Sequence, residues 1–168
     1  MNRDPKSLIM TLEEAVKWRQ ELRAFGLKLV ITNGCFDILH RGHAEYLHRS
    51  KAFGDAQLVL INTDASVRAL KGPSRPVIDE FSRAYMLAAL KSVDVVVMFS
   101  APQCTEEFRQ LQPDIYVKGG DYTLETLDQE EKSALLEAGA DIRFIKFIDG
   151  FSTSDIINKI ASTTPRPE

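Results

Sequence analysis

The densest run of chemically capable residues is Gly34-Cys35-Phe36-Asp37-Ile38-Leu39-His40-Arg41-Gly42-His43. His40 and His43 stand three residues apart, a spacing that lets both project from one side of a helix start. Gly42 between them lets a ligand approach the backbone closely. Free N–H groups and the positive end of the helix dipole make such a start an anion site. Two imidazole donors added there suit a phosphate oxygen that gains charge during reaction. In a bland reading, one histidine caps the helix and the other is solvated. Metal binding is the rival chemistry, but no third His, Cys or carboxylate stands at ligand spacing. Phosphate contact fits the strand-turn-helix context best.

The elements that must position these side chains alternate between strand-like and helix-like segments. Lys28 to Phe36, Gln57 to Asn62, Val93 to Phe99, Asp114 to Lys118 and Asp141 to Phe147 read as short buried strands without polar alternation. Helices are expected from a Thr11/Glu14 capping box to Gly26, and over His43 to Phe53, Asp64 to Leu70 and Glu80 to Ser92. Further helices are expected near Thr105 to Leu111, over Glu130 to Glu137 and over Ser154 to Ala161. This order predicts an α/β fold, a Rossmann-like, doubly wound, parallel five-stranded sheet covered on both faces. A helical extension (1–27), a catalytic domain (28–162) and a loose proline-bearing tail (163–168) are the expected divisions. Ligands of such sheets bind at the carboxyl ends of the strands. Gly34 to His43, Asn62 to Asp64, Ser100 to Pro102, Lys118 to Tyr122 and Asp149 to Ser154 lie there.

Composition narrows the field. The chain has 168 residues, is 44% hydrophobic and carries a net charge of −3, so a broad basic face for nucleic acid is excluded. No apolar run reaches the roughly 18 residues that span a bilayer. Cys35 and Cys104 lack a Cys-x-x-Cys arrangement and suit a reducing cytosol, so a cytoplasmic location is expected. No Walker pattern is present, which disfavours a P-loop kinase.

The run Gly-x-Phe-Asp-x-x-His-x-Gly-His resembles the signature of the cytidylyltransferase-like nucleotidyltransferases. Three further stretches resemble the heptose-1-phosphate adenylyltransferase branch. They are Leu70-Lys71-Gly72 with Ser74-Arg75-Pro76-Val77, then Val117-Lys118-Gly119-Gly120-Asp121-Tyr122, then Gly150-Phe151-Ser152-Thr153-Ser154. The similarity runs from about Lys28 to Ile160. It implies transfer of AMP from ATP to a sugar 1-phosphate, with Mg²⁺ as cofactor and release of pyrophosphate. Where glycerol-3-phosphate cytidylyltransferases carry an Arg before the Gly-x-Ser-Thr stretch, this chain has Phe147, which counts against that substrate. Arg41 stands where many relatives have a smaller residue. Homodimers are common in the family, though no periodicity in the chain demonstrates one.

The resemblance implies catalytic roles for His40, His43 and the loop lysine Lys71, all on phosphate oxygens. It places Asn33, Gly34, Cys35, Phe36, Gly42, Lys118, Gly119, Asp121, Ser152, Thr153 and Ser154 around the nucleotide. Asp37, Asp64, Arg75 and Arg83 would face the acceptor substrate. Plainer readings stand beside several of these. Arg83 either snorkels outward from the face of Met86, Leu87 and Leu90 or meets a buried anion. Asp37 either anchors its turn or binds a hydroxyl, and Asp121 is either a polar ligand contact or an ordinary turn residue. Ser152 with Asp155 forms a capping pattern that explains both structurally. Three alternative functions remain: another sugar- or polyol-phosphate nucleotidyltransferase, a flavin-nucleotide synthetase, and a nucleotide-binding module without catalysis.

Overall fold

The structure is a computed structural model that describes residues 3–146 and 150–163. Six strands form one all-parallel sheet: β1 (Ile9–Met10), β2 (Leu29–Gly34), β3 (Ala56–Asn62), β4 (Val95–Phe99), β5 (Ile115–Gly119) and β6 (Asp141–Ile145). Their spatial order is β1-β4-β3-β2-β5-β6. The sixth strand, beyond the five expected, is β1, whose two residues pair with Val96 and Val97 at the edge of β4. Two residues carry too little periodicity to be read as a strand from sequence; the open edge of β4 creates them.

Among the described residues there are seven α-helices: α1 (Leu12–Ala24), α2 (Arg41–Lys51), α3 (Asp64–Lys71), α4 (Glu80–Ala88), α5 (Thr105–Leu111), α6 (Gln129–Glu137) and α7 (Thr153–Thr163). Every residue of β3 is buried, the pattern of a strand covered on both faces. One face packs Leu29, Ile31, Leu58 and Tyr116 against Ala15 of α1, Phe108 of α5 and Leu135 of α6. The other packs Val30, Val59, Val96 and Val117 against Leu47 of α2 and Leu87 of α4. Alternate residues of each strand serve opposite layers, so this sandwich follows from the period of two.

Local signals set several boundaries. Thr11 and Glu14 form the reciprocal capping box of α1. Buried Arg19 of α1 pairs with Asp114 at 2.8 Å and donates to the Leu111 and Gln112 carbonyls, tying α1 to the entrance of β5. Helix α4 ends at Ala88, earlier than expected, and Met86 is 51% exposed although its spacing matches buried Leu87. The proline tail lies outside the described residues from 164 onward, as does Phe147.

Chain order decides where the site lies. From β2 the chain moves outward through β3 and β4, then returns to place β5 on the other side of β2. The crossovers on either side of β2 and β5 therefore diverge, leaving a crevice at the carboxyl ends of these two strands.

Candidate active site

That crevice is a cavity of about 850 Å³. The loop leaving β2 forms one wall, and its backbone is strained. Phe36 and Ile38 sit at φ 49° and 48°, in the left-handed region that a β-branched residue rarely adopts. Such strain persists only where the surroundings over-determine it. Arg83, 2% exposed, supplies part of that restraint. It donates to the carbonyls of Cys35 at 2.6 Å, Asn62 at 2.9 Å and Ile78 at 2.9 Å, and pairs with Asp64 at 2.7 Å. One guanidinium thus joins the ends of β2 and β3 to the start of α4.

Asp37 supplies the rest. It accepts from Arg75 Nε at 2.8 Å and from the Val77 and Ile78 N–H groups at 2.9 and 3.0 Å. Burial opposes its ionisation, but the two backbone donors and Arg75 outweigh it and hold its carboxyl below the ordinary range. The Arg75–Pro76 peptide within this clasped loop is cis. The acceptor-substrate roles expected for Asp37, Asp64, Arg75 and Arg83 meet a physical obstacle here. Their charged groups are paired with one another and with backbone, and neither Asp64 nor Arg83 lines the cavity. Of the readings open for Arg83 and Asp37, the buried anion and the anchored turn are the ones observed.

The two histidines stand together at the start of α2. Their rings stack with centroids 3.8 Å apart and planes 22° from parallel. His40 is the N-cap, and its Nδ1 accepts from Gly42 N–H at 3.1 Å. That contact leaves the proton of the neutral ring on Nε2. Nδ1 of His43 is buried without a hydrogen-bond partner among the described residues, and the His43 side chain lines the cavity. Burial lowers the pKa of His40. It lowers that of His43 to about 4, helped by His40 and Lys71 nearby and opposed by Asp37. Both rings are therefore neutral at pH 7, each able to present one N–H donor. The capping and phosphate-contact readings of His40 are compatible, because capping uses the other nitrogen.

Gly42 is required for a reason different from ligand approach. A Cβ there would stand 2.9 Å from Phe151 Cβ and 3.0 Å from the His40 ring, so the chain's own side chains occupy that space. Phe151 runs nearly parallel to His40 at 6.5 Å, with the Arg41 guanidinium 5.5 Å from its ring.

The remaining expected residues divide cleanly. Asn33, Gly34, Cys35, Phe36, Lys71, Lys118, Gly119, Ser152, Thr153 and Ser154 line the cavity. Asp121 is exposed and does not. Lys71 ends α3 without an ion-pair partner among the described residues. Lys118 Nζ donates to Asn33 Oδ1 at 3.0 Å and lies 5.2 Å from the Tyr122 ring centre. Thr153 Oγ1 donates to the Asp37 carbonyl at 2.8 Å, and Ser152 Oγ caps α7 through Asp155 N–H. Tyr122 and Phe151, members of the strand-end motifs, also line the cavity, and so do Glu131 and Gln103, which lie outside every motif singled out from the sequence. Glu131 looked like one more surface acid of a helix, and nothing in its spacing marks it.

The Mg²⁺ expected with ATP is a hard cation that prefers carboxylate and water oxygens. No group of three or more His, Cys, Asp or Glu side chains suited to a metal exists among the described residues. Of the nearby acids, Asp37 is consumed by its clasp and Asp64 by Arg83. The donor set does not fit a protein-built Mg²⁺ cage, and no step below depends on one.

A parallel sheet with its switch point beside paired imidazoles at a helix start, and with lysines across the crevice, defines an α/β enzyme that handles phosphates. Residues 31–163 match the model of the cytidylyltransferase-like family, and the chain belongs to that family of nucleotidyltransferases. It is 50% identical over 139 residues to the bifunctional protein HldE of Citrifermentans bemidjiense, covering 82% of this chain and 28% of that protein. The bifunctional protein HldE of Aliarcobacter butzleri is 43% identical over 155 residues, 92% of this chain and 31% of the relative. The chain thus spans about three tenths of the length of these curated relatives. Among solved structures, the lipopolysaccharide core biosynthesis protein of Thermoplasma volcanium superposes with a TM-score of 0.60 at 30% identity, covering 73% of this chain and 98% of that one. No helix among the described residues is long and apolar enough to cross a membrane.

Proposed function

We propose that this chain transfers AMP from ATP to a heptose 1-phosphate, giving ADP-heptose and pyrophosphate, in the cytoplasm. The observation that carries the reading is the stacked pair of neutral imidazoles at the start of α2, with Lys71 close enough to depress the His43 pKa. The sugar-phosphate oxygen attacks the α-phosphorus of ATP in line, and pyrophosphate leaves. The acceptor phosphate is already an ionised nucleophile, so neither a protein base nor a covalent intermediate is required. The protein's task is positioning and charge neutralisation.

His40 and His43 donate to the phosphate oxygens where charge accumulates as the bond to pyrophosphate breaks. Lys71, at the end of α3, adds a full positive charge from the adjacent strand end. Ser152 and Ser154 at the start of α7 offer hydroxyl and N–H donors beside the histidines, while the Thr153 hydroxyl is spent on the Asp37 carbonyl. Mg²⁺, where it takes part, would come coordinated by the triphosphate and water. The likeness to bifunctional HldE proteins and to a lipopolysaccharide core biosynthesis protein supports the choice of acceptor.

The experiment is a pyrophosphate-release assay with ATP and CTP, each against heptose 1-phosphate, glycerol 3-phosphate and flavin mononucleotide. ATP with heptose 1-phosphate is expected to be the productive pair. Release with CTP and glycerol 3-phosphate instead would replace the reading with its polyol-phosphate neighbour. ATP binding without release for any acceptor would make the chain a sensing module.

A further inference from the structure

The cavity has a second end, chemically unlike the first. Asn33 and Lys118, at the tips of β2 and β5, line it together with Glu131 of α6, and Asn33 and Glu131 both bond to Cys104. Glu131 is only 5% exposed, yet it lines the cavity. Its Oε1 accepts from the Cys104 N–H at 2.9 Å, and its Oε2 has no partner among the described residues. Asn33 has one donor to spare, the second N–H of its amide. Its Oδ1 accepts from Tyr116 and Lys118, and its Nδ2 donates to Cys104 Sγ. The network therefore offers a ligand one carboxylate oxygen, one positioned ammonium and one amide N–H.

An ionised carboxylate only accepts hydrogen bonds, and an ammonium only donates them. A hydroxyl does both. A ring bearing several hydroxyls can give a proton to Glu131 and take one from Lys118, whereas a phosphate would be repelled by the carboxylate. The surroundings are already anion-averse: burial and the charges of Glu106 and Glu131 push the Glu107 carboxyl up. A flat base is held chiefly by stacking on an open ring face. The ring at this end, Tyr122, is covered by Lys118, while Phe151 stands at the other end beside the imidazoles.

We infer that this end holds the sugar ring of the acceptor, with Glu131 as a specificity-determining residue that accepts hydrogen bonds from its hydroxyls. This rests on the adenylyl-transfer reading above and extends it to the acceptor's own subsite. Triphosphate and sugar are thereby sorted by charge to opposite ends of one cavity.

The test is steady-state pyrophosphate release by the full chain, with ATP and D-glycero-β-D-manno-heptose 1-phosphate varied in turn. In Glu131→Gln an amide oxygen can still accept from Cys104 N–H, so the fold is kept while the charge is lost. The KM for the sugar phosphate is expected to rise about ten-fold or more, the scale of one hydrogen bond to a buried charge. The KM for ATP should stay within about two-fold, the scale of an untouched subsite. Lys118→Gln is the second variant and should raise the same KM; it carries the test alone if thermal melting shows Glu131→Gln unfolded. A rise confined to the ATP KM would assign this end to the nucleotide and overturn the inference. Unchanged sugar KM in folded variants of an active protein overturns this inference alone. A wild type that releases no pyrophosphate with any sugar 1-phosphate overturns the adenylyl-transfer reading and takes the inference with it.

Discussion

Two helix starts face the same cavity, and they are held in opposite ways. Helix α2 begins at His40 and buries Gly42, Tyr46, Leu47 and Ser50. The loop that leads into it is clasped by Asp37 and Arg83. Helix α7 begins at Thr153 and buries no residue. It is tethered by the Thr153 hydroxyl on the Asp37 carbonyl and by Phe151 beside His40. The histidines, to which the proposed function gives the developing charge, stand on the immobilised start, where a small displacement would cost much of the rate. The serine and threonine donors stand on the lightly held start, which can adjust as substrate enters. Asp37 links the two, since its carboxylate fixes the 75–78 loop while its carbonyl holds α7.

The comparison can be broken at Arg83. Arg83→Met leaves Asp64 and three backbone carbonyls without their shared donor, so a loss of about 3–5 kcal/mol in unfolding free energy is expected. Urea denaturation measures it, and a loss below about 1 kcal/mol would mean that the strained loop is held by something else. At the histidines the effect should fall on rate instead. His43→Ala is expected to lower kcat by roughly 10²–10³ while ATP affinity and melting temperature change little. Near-normal turnover would remove His43 from the chemistry.

Titration sharpens the same contrast. The pKa of His43 is about 4 in the folded chain and near 6.5 when unfolded. Between these values the unfolded state binds the extra proton, so stability is fully present above about pH 6.5 and falls as the pH drops towards 4. The loss is on the order of 3 kcal/mol. His43→Asn should flatten that limb of the stability profile; an unchanged profile would place the depressed titration elsewhere. The smallest effect belongs to α7. Thr153→Val should cost about 1 kcal/mol in stability, the scale of one part-buried neutral hydrogen bond. It should raise the ATP KM several-fold in the release assay. A destabilisation as large as that of Arg83→Met would abolish the distinction between the two helix starts.

Much of this arrangement was legible beforehand, and the reasons differ by residue. The strands β2 to β6 announce themselves as apolar runs, and Thr11 with Glu14 marks the start of α1 because a capping box is a local event. His40, Gly42 and His43 were legible because their strand-turn-helix context is contiguous in the chain. For Arg83 and Asp64 the sequence leaves the partner open, since a charged residue near a strand end looks the same whether it meets a ligand, a carboxylate or a carbonyl; the structure pairs them with each other. Met86 shares its spacing with buried residues but points outward, because α4 presents a narrower buried face than its hydrophobic pattern suggests.

Local pattern alone determined the alternation of strands and helices and the capped helix starts. These rest on interactions within a few residues of one another. Tertiary structure alone decided which charges are spent and which are free. Asp37 reaches across 38 residues to Arg75, Arg83 across 48 to Cys35, and Glu131 across 27 to Cys104. A charge's role depends on its partner and its burial, and both are set only when distant segments meet.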